Sequence, residues 1–184
     1  GSPFTDPIAE GKIIESAHHH ALKHDFVLDD VCKIVKEFRT YSDTPVIAMG
    51  YTNSFINPSS ELIATKLSEC GFNGILIVDL PASEKSIINS FKNNQLNLVQ
   101  LIAPTTQLNL IEEFLENDPA LIYYITQRGI TGSNNLNLEE ISEKLSALKK
   151  LSNKQVVTGF GIKTVEDVKN LKTLTDGIVI GSPI

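Results

Sequence analysis

Short apolar runs alternate along the chain with longer stretches whose apolar residues recur at helical spacing. The runs are Pro45–Gly50, Gly74–Asp79, Asn97–Ala103, Ala120–Thr126, Gln155–Phe160 and Asp176–Gly181, none longer than seven residues. They are rich in Ile, Val, Leu and Tyr, and most are continuous, not alternating. That is the pattern of strands buried on both faces of a parallel sheet.

The intervening stretches predict helices. Ser59–Cys70 has Ser59 or Ser60 as cap, Leu62, Ile63 and Leu67 on one face, and Gly71 as its stop. Ser83–Asn93 starts on a cap with Glu84 and puts Ile87, Ile88 and Phe91 in one stripe. Gln107–Asn117 groups Leu108, Ile111, Phe114 and Leu115, and Leu138–Leu151 groups Ile141, Leu145 and Leu148. Thr164–Lys172 has a Thr cap, with Val165, Val168 and Leu171 in phase. Two more helices, Ile8–Lys23 and Leu28–Thr40, precede the first strand. A βα unit repeated without hairpin signals predicts an all-parallel α/β fold, either a doubly wound sheet or a (β/α)8 barrel. No Gly-x-Gly-x-x-Gly follows a strand, which removes support for a dinucleotide fold.

Charge narrows the partners. Sixteen basic against 22 acidic residues give −6, and nucleic acid wants a basic surface. No apolar run approaches the roughly 18 residues of a membrane span. Neither this nor the opening Gly1–Pro7 carries a targeting signal, so the expected compartment is the cytoplasm. Cys32 and Cys70 lie in helix-like segments and read as buried thiols. His18, His19 and His20 cannot converge on one ion, because successive helix residues point about 100° apart. His20 and His24 could, yet no metalloprotease pattern accompanies them, and a solvated helix face is the expectation.

In either architecture ligands bind beyond the C-terminal strand ends. Tyr51-Thr52-Asn53 follows the first run, Asp79-Leu80-Pro81 the second and Ala103-Pro104-Thr105-Thr106 the third. The fourth leads into Gln127–Asn135, the fifth gives Gly159-Phe160-Gly161-Ile162 and the sixth Gly181-Ser182. Glycines on the last two strands, with Gly132, suit a phosphate held by backbone amides, which needs no lysine.

Together these residues resemble the tryptophan synthase α-subunit family. The opening Gly1-x-Pro3-Phe4-Thr5-Asp6-Pro7-Ile8-Ala9-Glu10-Gly11 is similar to that family's Gly-x-Pro-Phe-Ser-Asp-Pro-x-Ala-Asp-Gly loop. Tyr51-x-Asn53, Asp79-Leu80-Pro81, Gly129-Ile130-Thr131-Gly132, Gly159-Phe160-Gly161-Ile162 and Gly181-Ser182 follow in the family's order. The resemblance implies a (β/α)8 TIM barrel, here incomplete with about six of eight strands, in one partial domain over residues 1–184. It implies retro-aldol cleavage of indole-3-glycerol phosphate to indole and glyceraldehyde 3-phosphate, with no metal and no cofactor in this chain. Pyridoxal phosphate would belong to a β subunit, paired with this one as α2β2.

By resemblance, Gly132, Gly161, Gly181 and Ser182 hold the phosphate. Tyr51, Leu76, Ile102 and Phe160 line the indole pocket, with Tyr123 in its wall. Thr131 supports the catalytic acid, and Pro3 and Asp6 face the β subunit. Glu10 is the catalytic carboxylate of this chain, standing where the family has Asp; the extra methylene moves the charge by roughly 1 Å. The family's principal acid–base glutamate precedes Gly1 by two residues, so these 184 residues alone are expected to be inactive. A non-catalytic α-like subunit that activates a β partner, and another phosphate-binding biosynthetic barrel, are the competing readings.

Overall fold

The apolar runs form strands, each shorter than its run, and local hydrogen bonding explains where the first begins. The computed structural model describes residues 5, 12–126, 138–159, 162 and 164–181. They fall into two compact units, Gly1–Val99 and Gln100–Ile184.

The first unit holds α1 (Lys12–Lys23), α2 (Leu28–Phe38), β1 (Ile47–Gly50), α3 (Thr52–Phe55), α4 (Ser60–Cys70), β2 (Gly74–Ile77), α5 (Lys85–Asn93) and the start of β3 (Asn97–Ile102). β1 and β2 are parallel, with Ile47 opposite Gly74 and Gly50 opposite Ile77. β2 and β3 are parallel from Gly74 opposite Asn97. Proline at 45 has no N–H to give a ladder. The N–H of Val46 goes instead to the Asn73 side chain, at 2.9 Å from Oδ1. Regular pairing therefore starts at Ile47.

Asn73 is the junction of this end of the unit. Its N–H donates to Val46 O at 2.8 Å, and its carbonyl accepts from Asn97 N at 3.0 Å. Its Oδ1 also accepts from Arg39 Nη2 at 2.6 Å. Arg39 in turn donates to Gly71 O at 2.9 Å, Ser42 O at 3.1 Å and Thr44 O at 2.8 Å. One guanidinium thus ties the end of α2 to the end of α4 and the entry to β1. Gly71 makes this possible. It ends α4 in the left-handed region, at φ 96°, and a Cβ there would lie 2.9 Å from Arg39 Cγ.

Core residues of this unit include Cys32, Val35, Phe55, Ile63, Leu67, Ile75, Ile77, Phe91 and Leu98. The helix stripe of α4 is rotated from its expected position. Ile63, Ala64, Leu67 and Cys70 are buried, while Leu62 is 60% exposed. A helix advances about 100° per residue, so the 63, 67, 70 set excludes its predecessor from the core face. The cap holds as expected, with Ser59 Oγ accepting from Leu62 N. α5 begins at Lys85 rather than Ser83, and its N-cap Glu84 makes no side-chain cap bond. α3 is too short to show periodicity in sequence, yet its Phe55 is wholly buried, edge-on to Phe91. Cys32 and Cys70 are buried free thiols, and burial, with the adjacent Cys70 thiol, pushes Cys32 up to about 12.

The second unit continues with α6 (Leu108–Glu116), β4 (Leu121–Ile125), α7 (Leu138–Leu151), β5 (Gln155–Gly159), α8 (Val165–Leu171) and β6 (Gly177–Ile178). β4, β5 and β6 pair in parallel, with Leu121 opposite Gln155 and Val157 opposite Gly177. Its core includes Ile102, Ile111, Ile122, Tyr124, Leu145, Leu148, Val156 and Leu171. The first apolar residues of α6 and α8, Leu108 and Val165, are exposed instead of joining their stripes. Thr164 caps α8 as expected, accepting from Asp167 N while Asp167 Oδ2 accepts from Thr164 N.

The Asn73 arrangement recurs here. Asp176 stands one residue before β6, donates from its N–H to Val156 O at 2.8 Å, and accepts from Val156 N on Oδ2 at 2.8 Å. Lys149 Nζ reaches its other oxygen at 3.2 Å. The Val156 N–H first, and Lys149 with it, hold this carboxyl below the usual carboxylate range.

Two outcomes test this reading. Asn73→Ala removes the acceptor of Val46 N and of one guanidinium arm, both solvent-exposed, and should lower the unfolding free energy by about 0.5–1.5 kcal/mol in urea denaturation. Asp176 is depressed when folded, so its stabilisation is present above the unfolded pKa and is lost as pH falls through the folded one. Asp176→Asn should therefore be less stable than the parent at pH 7, and the gap should shrink as the pH is lowered below about 4. A gap that is constant from pH 7 to pH 2 would exclude the carboxylate as its source.

Candidate active site

Pleating separates the strand side chains into two sets. Ile75, Ile77 and Leu98 pack in the first core, and Ile122, Tyr124 and Val156 in the second. Leu76 and Tyr123, between them in sequence, are equally buried but lie outside those clusters. Successive side chains on a strand point to opposite faces, so Leu76 and Tyr123 occupy the face turned from the helices of their own units. This is why the runs read as continuously apolar.

In the first unit the ends of β1 and β2 are locked together. Val78 N donates to Gly50 O at 2.9 Å, extending the ladder beyond the strands. One residue further, Asp79 Oδ1 accepts from both Thr52 N at 2.7 Å and Thr52 Oγ1 at 2.8 Å. Between these contacts sits Tyr51, the N-cap residue of α3, only 1% exposed. A loop hydrogen bond is the ordinary expectation for an Asp here. Thr52 is the partner that sequence reasoning missed, since nothing in spacing marks it.

In the second unit the third strand-end segment folds back on itself. Thr106 Oγ1 accepts from Ala103 N, and Thr106 N donates to Ala103 O, both at 3.0 Å. Ile102 packs into the core, where it borders a cavity of about 90 Å³ together with Ile111, Tyr124 and Leu148. Beyond β4 and β5, Thr126 donates through both N–H and Oγ1 to Gly159 O, each at 2.8 Å. Gly159 also makes room for Tyr123: a Cβ on it would lie 2.2 Å from the Tyr123 hydroxyl oxygen. Burial pushes that hydroxyl up to about 12, so at neutral pH Tyr123 is a neutral donor and not a base. Among the described residues nothing lies within 4 Å of a Cβ placed on Gly181.

Glu10, Pro3, Asp6, Thr131, Gly132, Phe160, Gly161 and Ser182 lie outside the described residues. Among the described residues, no group of three or more His, Cys, Asp or Glu side chains could hold a metal ion. His20 and His24 are edge to face, with ring centroids 4.8 Å apart.

This is the parallel βα repeat of a (β/α)8 barrel, carrying its polar contacts at the C-terminal strand ends. The family profile described as tryptophan synthase alpha chain matches residues 1–184. The tryptophan synthase alpha chain of Marinobacter nauticus is 37% identical over 99% of this chain and 68% of its own length. That of Legionella pneumophila (strain Philadelphia 1) is 34% identical over 100% and 68%. The crystal structure of the alpha subunit from Legionella pneumophila strain Paris superposes with TM-score 0.88 at 32% identity, over 99% of this chain and 68% of that one. A structure of the α2β2 complex of Pyrococcus furiosus gives TM-score 0.87 at 32% identity, over 98% and 74%. The chain belongs to the tryptophan synthase alpha chain family, and it spans about two thirds of the length of these relatives.

The fit of Tyr123 against Gly159 gives a direct test. Gly159→Ala must displace the buried ring or the strand, and should lower the unfolding free energy by about 1–3 kcal/mol. Urea denaturation checks this, and a variant as stable as the parent would mean that Tyr123 can turn away freely.

Proposed function

We propose that this protein cleaves indole-3-glycerol phosphate to indole and glyceraldehyde 3-phosphate, as the lyase component of tryptophan synthesis. The family match over residues 1–184 is the observation that carries this reading. The reaction breaks the bond between the indole ring carbon and the glycerol chain. It needs an acid to protonate that carbon, a carboxylate to stabilise positive charge at the ring nitrogen and a base at the glycerol hydroxyl.

In this reading Glu10 supplies a carboxylate, and Thr131 supports the acid. Tyr51, Leu76, Ile102, Tyr123 and Phe160 form the apolar surroundings of the indole. Gly132, Gly161, Gly181 and Ser182 hold the phosphate through backbone groups. The burial of Tyr51, Leu76 and Tyr123 outside the helix-facing cores supports the apolar part, because an indole ring is held by apolar contact, whereas Ile102 packs in the helix-facing core and lends no such support. No metal or cofactor is assigned to this chain. Pro3 and Asp6 face a pyridoxal-phosphate β subunit in an α2β2 assembly, the form of the Pyrococcus furiosus relative. No described helix is long and apolar enough to cross a membrane, and we place the reaction in the cytoplasm.

The test is indole release from indole-3-glycerol phosphate by the complete gene product, with and without a β subunit. Turnover is expected, and Glu10→Gln should lower kcat by about 10²-fold or more. A complete protein that binds the β subunit and raises its turnover, yet releases no indole, would overturn the lyase reading in favour of a partner-activating subunit.

A further inference from the structure

We propose that Asp79 is a positioning residue for the aromatic end of the substrate, acting through Thr52 and Tyr51. This rests on the lyase reading above and on geometry internal to the first unit. The first N–H groups of a helix have no intrahelical acceptor. Tyr51, at the N-cap of α3, makes no side-chain cap bond. Asp79 Oδ1 fills that role from the neighbouring strand end, at 2.7 Å from Thr52 N and 2.8 Å from Thr52 Oγ1. It can do so because Val78 N is fixed on Gly50 O at 2.9 Å, which sets the carboxylate one residue beyond the ladder.

Tyr51 lies between the two fixed points, Gly50 and Thr52. The residue is only 1% exposed, so its ring is packed in place and does not adjust through solvent. Removing the carboxylate frees the first turn of α3 and lets the Tyr51 backbone rotate. The ring then no longer holds its place in the wall assigned to the indole. Asp79 itself is exposed and needs no contact with the reacting atoms for this role.

The bond pattern predicts a graded series. Asp79→Ala removes both bonds, Thr52→Val removes only the hydroxyl bond, and Asp79→Asn retains a carbonyl acceptor. Each variant is made in the complete gene product. Steady-state kinetics on indole-3-glycerol phosphate, separate affinities for indole and for glyceraldehyde 3-phosphate, and thermal midpoints are read for each. Asp79→Ala should weaken indole affinity and raise KM by roughly 10-fold to 10²-fold, with Thr52→Val and Asp79→Asn in between. Affinity for glyceraldehyde 3-phosphate should be unchanged throughout.

A lowered thermal midpoint with unchanged KM and indole affinity would reduce Asp79 to a structural tether and overturn the proposal. So would a kcat loss in Asp79→Asn as deep as in Asp79→Ala with Thr52→Val silent, which would mark a direct catalytic carboxylate. A parent protein that neither binds indole nor cleaves the substrate would instead overturn the lyase reading itself, and the proposal with it.

Discussion

The constraint on which both units depend is the satisfaction of backbone N–H groups where a strand begins. A buried N–H without an acceptor costs about as much as a lost hydrogen bond. Asn73 and Asp176 solve the same problem at two places. Each stands immediately before a strand, at Gly74 and Gly177, and each exchanges backbone and side-chain bonds with a residue at the start of the preceding strand, Val46 just before β1 and Val156 early in β5. The short polar side chain supplies the acceptor that the ladder lacks there. Each is then held by a cation, Arg39 for Asn73 and Lys149 for Asp176. The glycine that follows keeps the approach close. A Cβ on Gly74 would lie 2.7 Å from Asn97 O, and one on Gly177 would lie 2.9 Å from a Val157 methyl.

Once the starts are fixed, the pleat fixes everything downstream. A slip of one residue would exchange Leu76 with Ile75 and Tyr123 with Tyr124. Those exchanges are not neutral. Tyr124 on the helix-facing side buries a hydroxyl that finds no hydrogen-bond partner among the described residues, whereas Tyr123 fits over the bare Cα of Gly159. The register therefore decides which tyrosine is packing and which is available to a site. In the first unit, Asn73 precedes β2 and the Asp79–Thr52 contact follows it, so register is set at the opposite end of that strand from the contact.

This division explains what the sequence disclosed and what it did not. Burial on both faces wrote itself into the runs around Ile75 and Ile122, so the parallel α/β class was legible. Caps were legible at Ser59 and Thr164, because a hydroxyl before an apolar stripe has a local partner. Leu62 and Val165 were misplaced because a stripe read from one helix does not say where its neighbour lies. α3 was invisible because four residues cannot show a period. At the site, Tyr51 and Asp79 were legible as strand-end residues, and Leu76 only through the family resemblance. The pairing of Asp79 with Thr52 joins positions 27 apart, and the fit of Tyr123 to Gly159 joins neighbouring strands. Both are set by register, which no local pattern records.

Charge completes the argument. At the starts of the strands, Arg39 and Asn73 are bonded to each other, as are Lys149 and Asp176, and Lys154 reaches Asp118 at 2.6 Å. At the C-terminal ends of the described strands the contacts are of another kind: a carboxylate on a backbone N–H and a hydroxyl at Asp79, and a backbone carbonyl receiving two donors at Gly159. Backbone donors and acceptors do not titrate, and Tyr123 stays protonated far above neutral pH. In the proposed site Tyr123 would therefore present an uncharged surface to the indole. A net charge of −6 is compatible with the proposed phosphate substrate, since backbone amides can bind the anion without a basic surface.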